Sequence, residues 1–512
     1  MTSNELKGAP LLVVGAGIMG AGIAQVAAQA GHAVLLYDTR EGAAAEAKAK
    51  LGRSLEALVA KGRMAPDDVA RSLARIEPVA SLDAAASVPL VVEAIVESLD
   101  AKRELFRDLE RRVAADCVLA TNTSSISITA IGNGLQHPQR LVGMHFFNPV
   151  PLMKLVEVVS GLQTDAAVAQ SIFELSQAWG KVPVHARSTP GFIVNRIARP
   201  YYAETLALLQ ERAATPEVLD ACLRGAGFRM GACELMDLIG HDTNFAVTNS
   251  VFQANFYDKR FVPSLVQREL VDAGLLGRKS GRGFFDYAPG VAAPALPPFE
   301  AAPPPAAQRL VVCGSGLFAE RLASTLAGAF LAAGRSIERD TGCGWVGLHV
   351  RGGQGAQDAQ LRLTDGVSAS RLGAELAVFD LPLSAQAGSA LAWAPSVRAS
   401  QAWCEAAPTW LRALGFNPQR VADAPGLVVA RTIAMLINEA ADAVQQGVCT
   451  PQGADAAMKL GLNYPAGPFE WLARWDAAAV IGVLDGLDAV YRGERYRVSA
   501  WLQQFARRGS AA

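Results

Sequence analysis

The sequence predicts an α/β fold laid out twice along the chain. A parallel-sheet domain is followed by an all-α domain, then a linker, a shrunken α/β domain and a second all-α domain. Three observations predict it. An apolar run leading into a glycine turn occurs at residues 10–20 and again at residues 309–319. Strand-and-helix alternation gives way to helical periodicity at Thr189, after a first α/β stretch. A Pro/Ala-rich segment without periodicity, residues 289–308, separates the halves. At 512 residues the chain is too long for one ordinary core. The expected parts are residues 1–187, 188–288, 289–308, 309–420 and 421–512.

Composition narrows the function. The chain is 51% hydrophobic with a net charge of −1, so it has no global basic field for nucleic acid or a membrane surface. Any anionic partner must be held locally. The seven cysteines form no C-x-x-C pair. That argues against a disulfide framework and a cysteine-based metal site, and suits a reducing cytoplasm. Cys117 and Cys313 lie in apolar runs and read as small core residues. The N-terminal residues lack the apolar core of a signal peptide, and no apolar run is long enough to span a bilayer. The expectation is a cytoplasmic protein without a metal.

Residues 10–14 form a short apolar strand. Gly15-Ala16-Gly17-Ile18-Met19-Gly20 follows at once, then a helical pattern that ends at Gly31-His32, then a second strand closed by Asp38. This is G-x-G-x-x-G inside a strand–helix–strand unit, the signature of a Rossmann-type dinucleotide-binding domain. Gly15 permits the tight turn, Gly17 lets backbone approach a pyrophosphate, and Gly20 lets the helix pack on the sheet. The helix start offers amide donors and a positive dipole end to phosphates. Asp38 can accept from a ribose 2′-hydroxyl and would repel a 2′-phosphate, so NAD is favoured over NADP. Arg40 argues mildly the other way, unless it is a solvated charge.

Residues 42–75 read as surface helices, on which Ser54, Lys61 and Arg63 could offer a local phosphate site. A strand over residues 90–97 ends at Glu97, and Lys102 lies on the helix after it. A further buried strand ends in Thr121-Asn122-Thr123-Ser124-Ser125. Ligands gather beyond the carboxyl ends of strands in such sheets. Glu97, Asn122, Ser124 and His145 would all sit there. Ser124 has two readings, a helix N-cap or a substrate contact.

The stretch 141–159 organises the first half. An apolar run delivers His145, a turn follows at Asn148-Pro149-Val150-Pro151, and a second apolar run carries Glu157. If the chain folds back at the prolines, imidazole and carboxylate face each other. An imidazole held by a carboxylate is a good proton acceptor near neutral pH. The alternative is a pair that merely satisfies itself. Beyond Thr189, a helical segment opens with Asn195 near its start and Pro200 interrupting it. Asn195 could cap that helix or point back at the first domain. The segment closes on a Gly- and basic-rich tail, residues 277–287, containing Lys279.

Taken together, VVGAGIMGAGIAQVAAQAGHAVLLYD, VVEAIVESLDAK, ATNTSSISI, GMHFFNPVPLMKLVEVV, TPGFIVNR and GRKSGRGFFDY resemble the 3-hydroxyacyl-CoA dehydrogenase family, in the family's order, from about residue 10 to 288. The resemblance implies NAD-dependent oxidation of the C3 hydroxyl of an L-3-hydroxyacyl-CoA. It implies His145 as general base, Glu157 as the acid that orients it, and Ser124 and Asn195 as holders of the substrate oxygen. Gly15, Gly17, Ile18, Met19, Gly20, Asp38, Glu97, Lys102, Asn122, Ser124, Asn148 and Lys279 fall on dinucleotide contacts, and Ser54 and Lys61 on coenzyme A contacts.

In the second half, Ala319 takes the third glycine's place, and neither a TNTSS-like nor an HFFNP-like segment follows. This α/β domain is expected to have lost dinucleotide binding. A repeat then returns: TPGFIVNR is echoed by residues 424–431, Thr215-Pro216 by Thr450-Pro451, and residues 231–235 by 467–471, with Ala430 where Asn195 stood. The helical unit is duplicated and its catalytic position is not. Two helical copies could therefore pair within one chain, beside a possible homo-oligomer. The two-copy layout looks most like the dehydrogenases that act on 3-hydroxyadipyl-CoA in phenylacetate breakdown. A 3-hydroxybutyryl-CoA dehydrogenase, a dinucleotide-binding scaffold and a bifunctional enzyme are the alternatives. Arg196, Arg199 and Arg229 are candidate cations for a terminal carboxylate.

Overall fold

The computed structural model describes residues 3–292, 296–305, 307, 309–332, 337–352, 358–384 and 386–509. Linker residues 293–295, 306 and 308, parts of the expected shrunken domain (333–336, 353–357, 385) and residues 510–512 lie outside the described residues. The chain divides into two compact units: residues 1–197 with 443–463, and residues 198–442 with those from 464 on.

The first unit is built on eight strands: β1 (Leu11–Val14), β2 (Val34–Tyr37), β3 (Ile76–Pro78), β4 (Leu90–Glu93), β5 (Val118–Thr121), β6 (Leu141–Phe146), β7 (Leu155–Ser160) and β8 (Val182–Arg187). Their order is β3-β2-β1-β4-β5-β6-β7-β8. β1, β4 and β5 are buried along their whole length, as unbroken apolar runs between two helical layers should be. Among the described residues of this unit, only β6 and β7 pair antiparallel. The segment joining them is too short for a parallel crossover, which takes a dozen residues or more. The helix Ile18–Gln29 buries Ile23, Ala24, Ala27 and Ala28 against the sheet. The crossover after β2 carries the helices Ala43–Ala60 and Pro66–Ala74.

One element of this unit comes from far along the chain. The helix Pro451–Leu462 packs on β7 and β8. The Arg187 amide, at the end of β8, donates to Val448 O at 2.9 Å.

The second unit begins with the helices Arg199–Gln210, Pro216–Gly225, Ala232–Ile239, His241–Ala254 and Leu265–Asp272. A seven-stranded sheet follows: β9 (Arg309–Cys313), β10 (Ile337–Asp340), β11 (Gly347–Arg351), β12 (Ala359–Leu363), β13 (Leu376–Phe379), β14 (Ala390–Pro395) and β15 (Asn417–Arg420), in the order β10-β9-β11-β12-β13-β14-β15. It repeats the first sheet with the β3 edge removed and with β11 standing in the place of β4. β11 runs antiparallel to both neighbours. The short segments on either side of it leave no room for crossover helices, so the strand enters reversed. A Cβ on Gly314, in the second glycine turn, would come 2.7 Å from Trp345 O and 2.9 Å from Val346 Cγ2. The approach to β11 therefore closes directly over that turn.

β13, β14 and β15 repeat β6, β7 and β8 at constant spacing, which puts Asp380 at the position of His145 and Ala392 at that of Glu157. Asp380 N donates to Ala392 O at 2.9 Å. The buried Asp380 carboxylate accepts from Leu381 N at 2.8 Å, Val428 N at 2.9 Å, Val429 N at 2.7 Å and Ala430 N at 2.8 Å. Burial pushes this carboxyl up to about 6 against those four amides.

The helical copies of this unit meet through reciprocal ion pairs. Glu204, on the first copy, takes Arg431 Nε at 2.6 Å and Arg495 Nη2 at 2.8 Å from the second. Arg260, the first copy's counterpart of Arg495, meets Glu439, the counterpart of Glu204, at 3.4 Å, together with Asp442. Such an exchange, with residue i on j and j on i, is the mark of a twofold interface, here made inside one chain.

Candidate active site

Strand register builds the centre of the site. His145 stands directly opposite Glu157 on the β6–β7 pair, and His145 Nδ1 lies 2.6 Å from Glu157 Oε2. The two side chains are 7% and 1% exposed. With Nδ1–H committed to the carboxylate, Nε2 is the nitrogen that carries the neutral ring's lone pair. The other oxygen, Glu157 Oε1, accepts from Ile193 N and Val194 N, each at 3.0 Å. These amides belong to the start of the helix Val194–Ile197, whose free donors suit a carboxylate. Phe147 and Phe192 flank the imidazole with ring centroids at 4.5 and 5.9 Å.

A second carboxylate gathers the strand ends. Glu97 Oε1 accepts from Thr123 Oγ1 at 2.7 Å, Ser124 N at 2.9 Å and Ser124 Oγ at 3.2 Å, and from the amide and hydroxyl of Ser125. Burial opposes the Glu97 charge; these hydrogen bonds and the Lys102 charge outweigh it and hold its carboxyl below the usual range. Ser124 caps no helix: the helix Ile128–Gly132 is capped by Ser127. Asn195 Nδ2 donates to Ser124 O at 3.4 Å, so it points back at the first domain. Asn122 Oδ1 accepts from Phe146 N at 2.8 Å, tying the end of β5 to the residue beside His145. Lys102 is buried, with Nζ 2.6 Å from Glu93 Oε1 and 3.4 Å from Glu97 Oε2. It sits behind Glu97 as the cation between two carboxylates.

The glycine turn has the shape a dinucleotide needs. Gly15, at φ +104°, could not carry a Cβ, which would lie 2.5 Å from Ala94 O. On Gly20 it would lie 1.8 Å from Gly15 O, so the helix sits hard on the turn. On Gly17 it would meet nothing within 4 Å; that side of the turn is open for a phosphate. Asp38 Oδ2 accepts from Ala16 N at 2.8 Å and Oδ1 from Arg40 N at 2.9 Å. The Arg40 guanidinium turns to Glu46, with both side chains more than half exposed, as a solvated charge would. A cavity of about 930 Å³, lined by Gly15, Gly17, Asp38, Ile95, Glu104 and Arg111 among others, opens from the turn.

Ile18 and Met19 lie in the glycine turn itself, between Gly17 and Gly20. Ile18 is 73% exposed, Met19 is half-buried, and Asn148 is exposed at the hairpin turn. Ser54 and Lys61 are exposed at the helix Ala43–Ala60 and its C-cap, where Ser54 Oγ donates to Lys50 O. Lys279 belongs to the second unit and pairs with Asp242 at 2.5 Å. Sequence reasoning missed Lys181. Its buried ammonium donates to Met153 O at 2.9 Å and to Val150 O, pinning the hairpin turn, and burial lowers it to about 8. A lone lysine inside the apolar run 179–184 was the available signal. Val150 in turn fills the space beside Gly22, whose Cβ would lie 2.9 Å from it.

Family models match the chain in three parts. The 3-hydroxyacyl-CoA dehydrogenase NAD binding domain covers residues 11–189, and the C-terminal domain of the same family covers residues 191–287 and 426–511. The 3-hydroxybutyryl-CoA dehydrogenase reduced Rossmann-fold domain covers residues 361–425. The chain is 42% identical over 495 residues to a 3-hydroxyadipyl-CoA dehydrogenase of Escherichia coli, covering 96% of each chain. The chain belongs to the 3-hydroxyacyl-CoA dehydrogenase family. A crystal structure described as 3-hydroxybutyryl-CoA dehydrogenase from Escherichia coli has a TM-score of 0.87 at 40% identity, covering 98% of this chain and 99% of that one. A probable 3-hydroxybutyryl-CoA dehydrogenase of Deinococcus radiodurans is 42% identical over 278 residues, 54% of this chain and 99% of its own. Like the other members of this 3-hydroxyacyl-CoA dehydrogenase family, the chain is an NAD-dependent oxidoreductase, and its described residues include no helix long and apolar enough to cross a membrane.

Proposed function

We propose that the chain oxidises the C3 hydroxyl of 3-hydroxyadipyl-CoA to the ketone. The observation that carries the chemistry is the His145–Glu157 pair, set opposite each other by strand register and locked at Glu157 by two helix-start amides. NAD, when bound, would supply the acceptor for the hydride that leaves C3 as its C–H bond breaks. His145 Nε2 takes the hydroxyl proton as that bond breaks, and Glu157 keeps Nδ1–H directed and stabilises the imidazolium. The Ser124 hydroxyl and the Asn195 amide hold the substrate oxygen. In the reverse direction His145 returns the proton.

Gly15, Gly17, Ile18, Met19, Gly20, Asp38, Glu97, Asn122 and Asn148 form the dinucleotide surface in this reading, with Lys102 supporting Glu97 from behind. Ser54 and Lys61 meet coenzyme A. The five-part domain division, a cytoplasmic location and a homo-oligomer belong to the same proposal. The adipyl substrate follows the relative that matches nearly the whole chain. The name of the similar crystal structure favours 3-hydroxybutyryl-CoA as the second reading. Rates across 3-hydroxybutyryl, 3-hydroxyhexanoyl and 3-hydroxyadipyl thioesters decide between them: kcat/KM should be highest for adipyl, and a butyryl optimum would reject that assignment.

The cofactor reading gives its own test. Asp38→Ser should raise the NADPH-to-NADH ratio of kcat/KM by about tenfold, because it removes the carboxylate that repels a 2′-phosphate. A parent enzyme that already prefers NADPH would contradict the role of Asp38.

A further inference from the structure

The helix Pro451–Leu462 comes from the helical copy whose own catalytic position is Ala430, yet it belongs to the unit that holds His145 and Glu157. Its contacts fall on both supports of Glu157. A Cβ on Gly461 would lie 2.9 Å from Leu155 Cδ2 and 3.1 Å from Val194 Cγ2. Leu155 opens β7, two residues before Glu157 on the same face of the strand. Val194 supplies one of the two amides that hold Glu157 Oε1. The helix therefore rests against the strand that carries the carboxylate and against the helix start that grips it.

The segment leading into this helix is fastened to the same helix start and to the strand beside β7. Gln446 Oε1 accepts from Arg196 Nη1 at 2.8 Å, Gln446 O accepts from Arg187 Nη1 at 3.2 Å, and Val448 O accepts from Arg187 N at 2.9 Å. Arg196 lies on the helix Val194–Ile197 and Arg187 ends β8. Cys449 is close enough to feel the Glu157 charge: burial first, and that carboxylate next, push its thiol up to about 12.

We infer that residues 446–461 are a positioning element for the His145–Glu157 pair, with Gly461 as the point where it bears on Glu157. This rests on the reading of His145 and Glu157 as the catalytic pair. Close contact requires glycine at 461, because any side chain there must push on Leu155 or on Val194. Leu155 can yield at its flexible end; Val194 is β-branched and stiff. A displaced Val194 moves an amide off Glu157, and with it the hydrogen bond that aims the imidazole.

The test uses the full-length protein with Gly461→Ala and Gly461→Leu, each also made in a Glu157→Gln background. Gly461→Leu should lower kcat by about tenfold or more, with the NADH Kd and the acyl-CoA KM within about twofold of the parent. Gly461→Ala should lower kcat by a smaller factor, with an unfolding midpoint close to the parent's because the helix propensity gained by alanine offsets part of the crowding. In the Glu157→Gln background neither change should lower kcat further. An unchanged kcat in Gly461→Ala, or full additivity with Glu157→Gln, would overturn the inference. If Gly461→Leu does not fold, Gly461→Ala and its double variant decide alone. A parent-like His145→Gln enzyme would instead mean that the catalytic pair itself was misassigned.

Discussion

Replacing His145 with Gln should lower turnover about a thousandfold and leave NADH affinity within about threefold of the parent. Glutamine keeps roughly the size and polarity of the imidazole and can still face Glu157, but it cannot take a proton from the substrate hydroxyl. The residue lies at the end of β6, whereas the glycine turn lies at the end of β1, with β4 and β5 between them in the sheet. In the proposed reading, cofactor binding would therefore have its own supports in Gly17 and Asp38. Stopped-flow oxidation of NADH with acetoacetyl-CoA and fluorescence titration of NADH separate the two quantities. Strongly weakened NADH binding would show that the side chain belongs to the cofactor site and not to the proton transfer.

The second large effect is expected on stability. Glu204→Leu should destabilise the unit that holds it by about 3–5 kcal/mol, because it leaves buried Arg431 without its principal counter-charge. Arg431 is almost wholly buried, and Glu204 Oε2 receives both its Nε at 2.6 Å and Tyr496 OH at 3.0 Å. A double variant, Glu204→Leu with Arg431→Met, should recover part of the loss, since it removes the fully buried cation with its carboxylate and leaves only the partly exposed Arg495 without its partner. Burial works against the Glu204 charge, but Arg495 and Arg431 outweigh it, so its carboxyl lies below the usual range. A depressed carboxyl contributes stability above its unfolded value and loses it as pH falls through the folded one. The gap between parent and variant, read by urea unfolding, should be full near neutrality and shrink in acid below the ordinary glutamate range.

The geometry of the candidate site was legible in the sequence wherever it is local. The strand–glycine–helix unit, Asp38, and the fold-back that pairs His145 with Glu157 follow from spacing, and Asn195 turns back to Ser124 as one of its two readings allowed. The interruption at Pro200 is also present: one helix ends at Ile197 and the next begins at Arg199. What spacing could not reach was the long-range geometry. Lys181 acts on carbonyls far from it in sequence, and nothing in the run 179–184 names its acceptors. The helix Pro451–Leu462 reads as one more repeat element, and only packing assigns it to the first sheet. The reversal of β11 needs knowledge of which crossovers were lost. Ser124 was misleading as a possible cap because Ser127, three residues on, does that work.

Asp380 shows what a carboxylate does at the second copy's counterpart of His145. In the first copy, one acid both grips two amides and steadies an imidazole; in the second, an acid has taken the imidazole's own place and grips three amides of the following turn. Gripping amides is rewarded in every folded molecule, whereas an imidazole is rewarded only while substrate arrives. A carboxylate under a helix start therefore keeps its value wherever the unit has to fold, whereas an imidazole in that place has value only where a proton is to be moved.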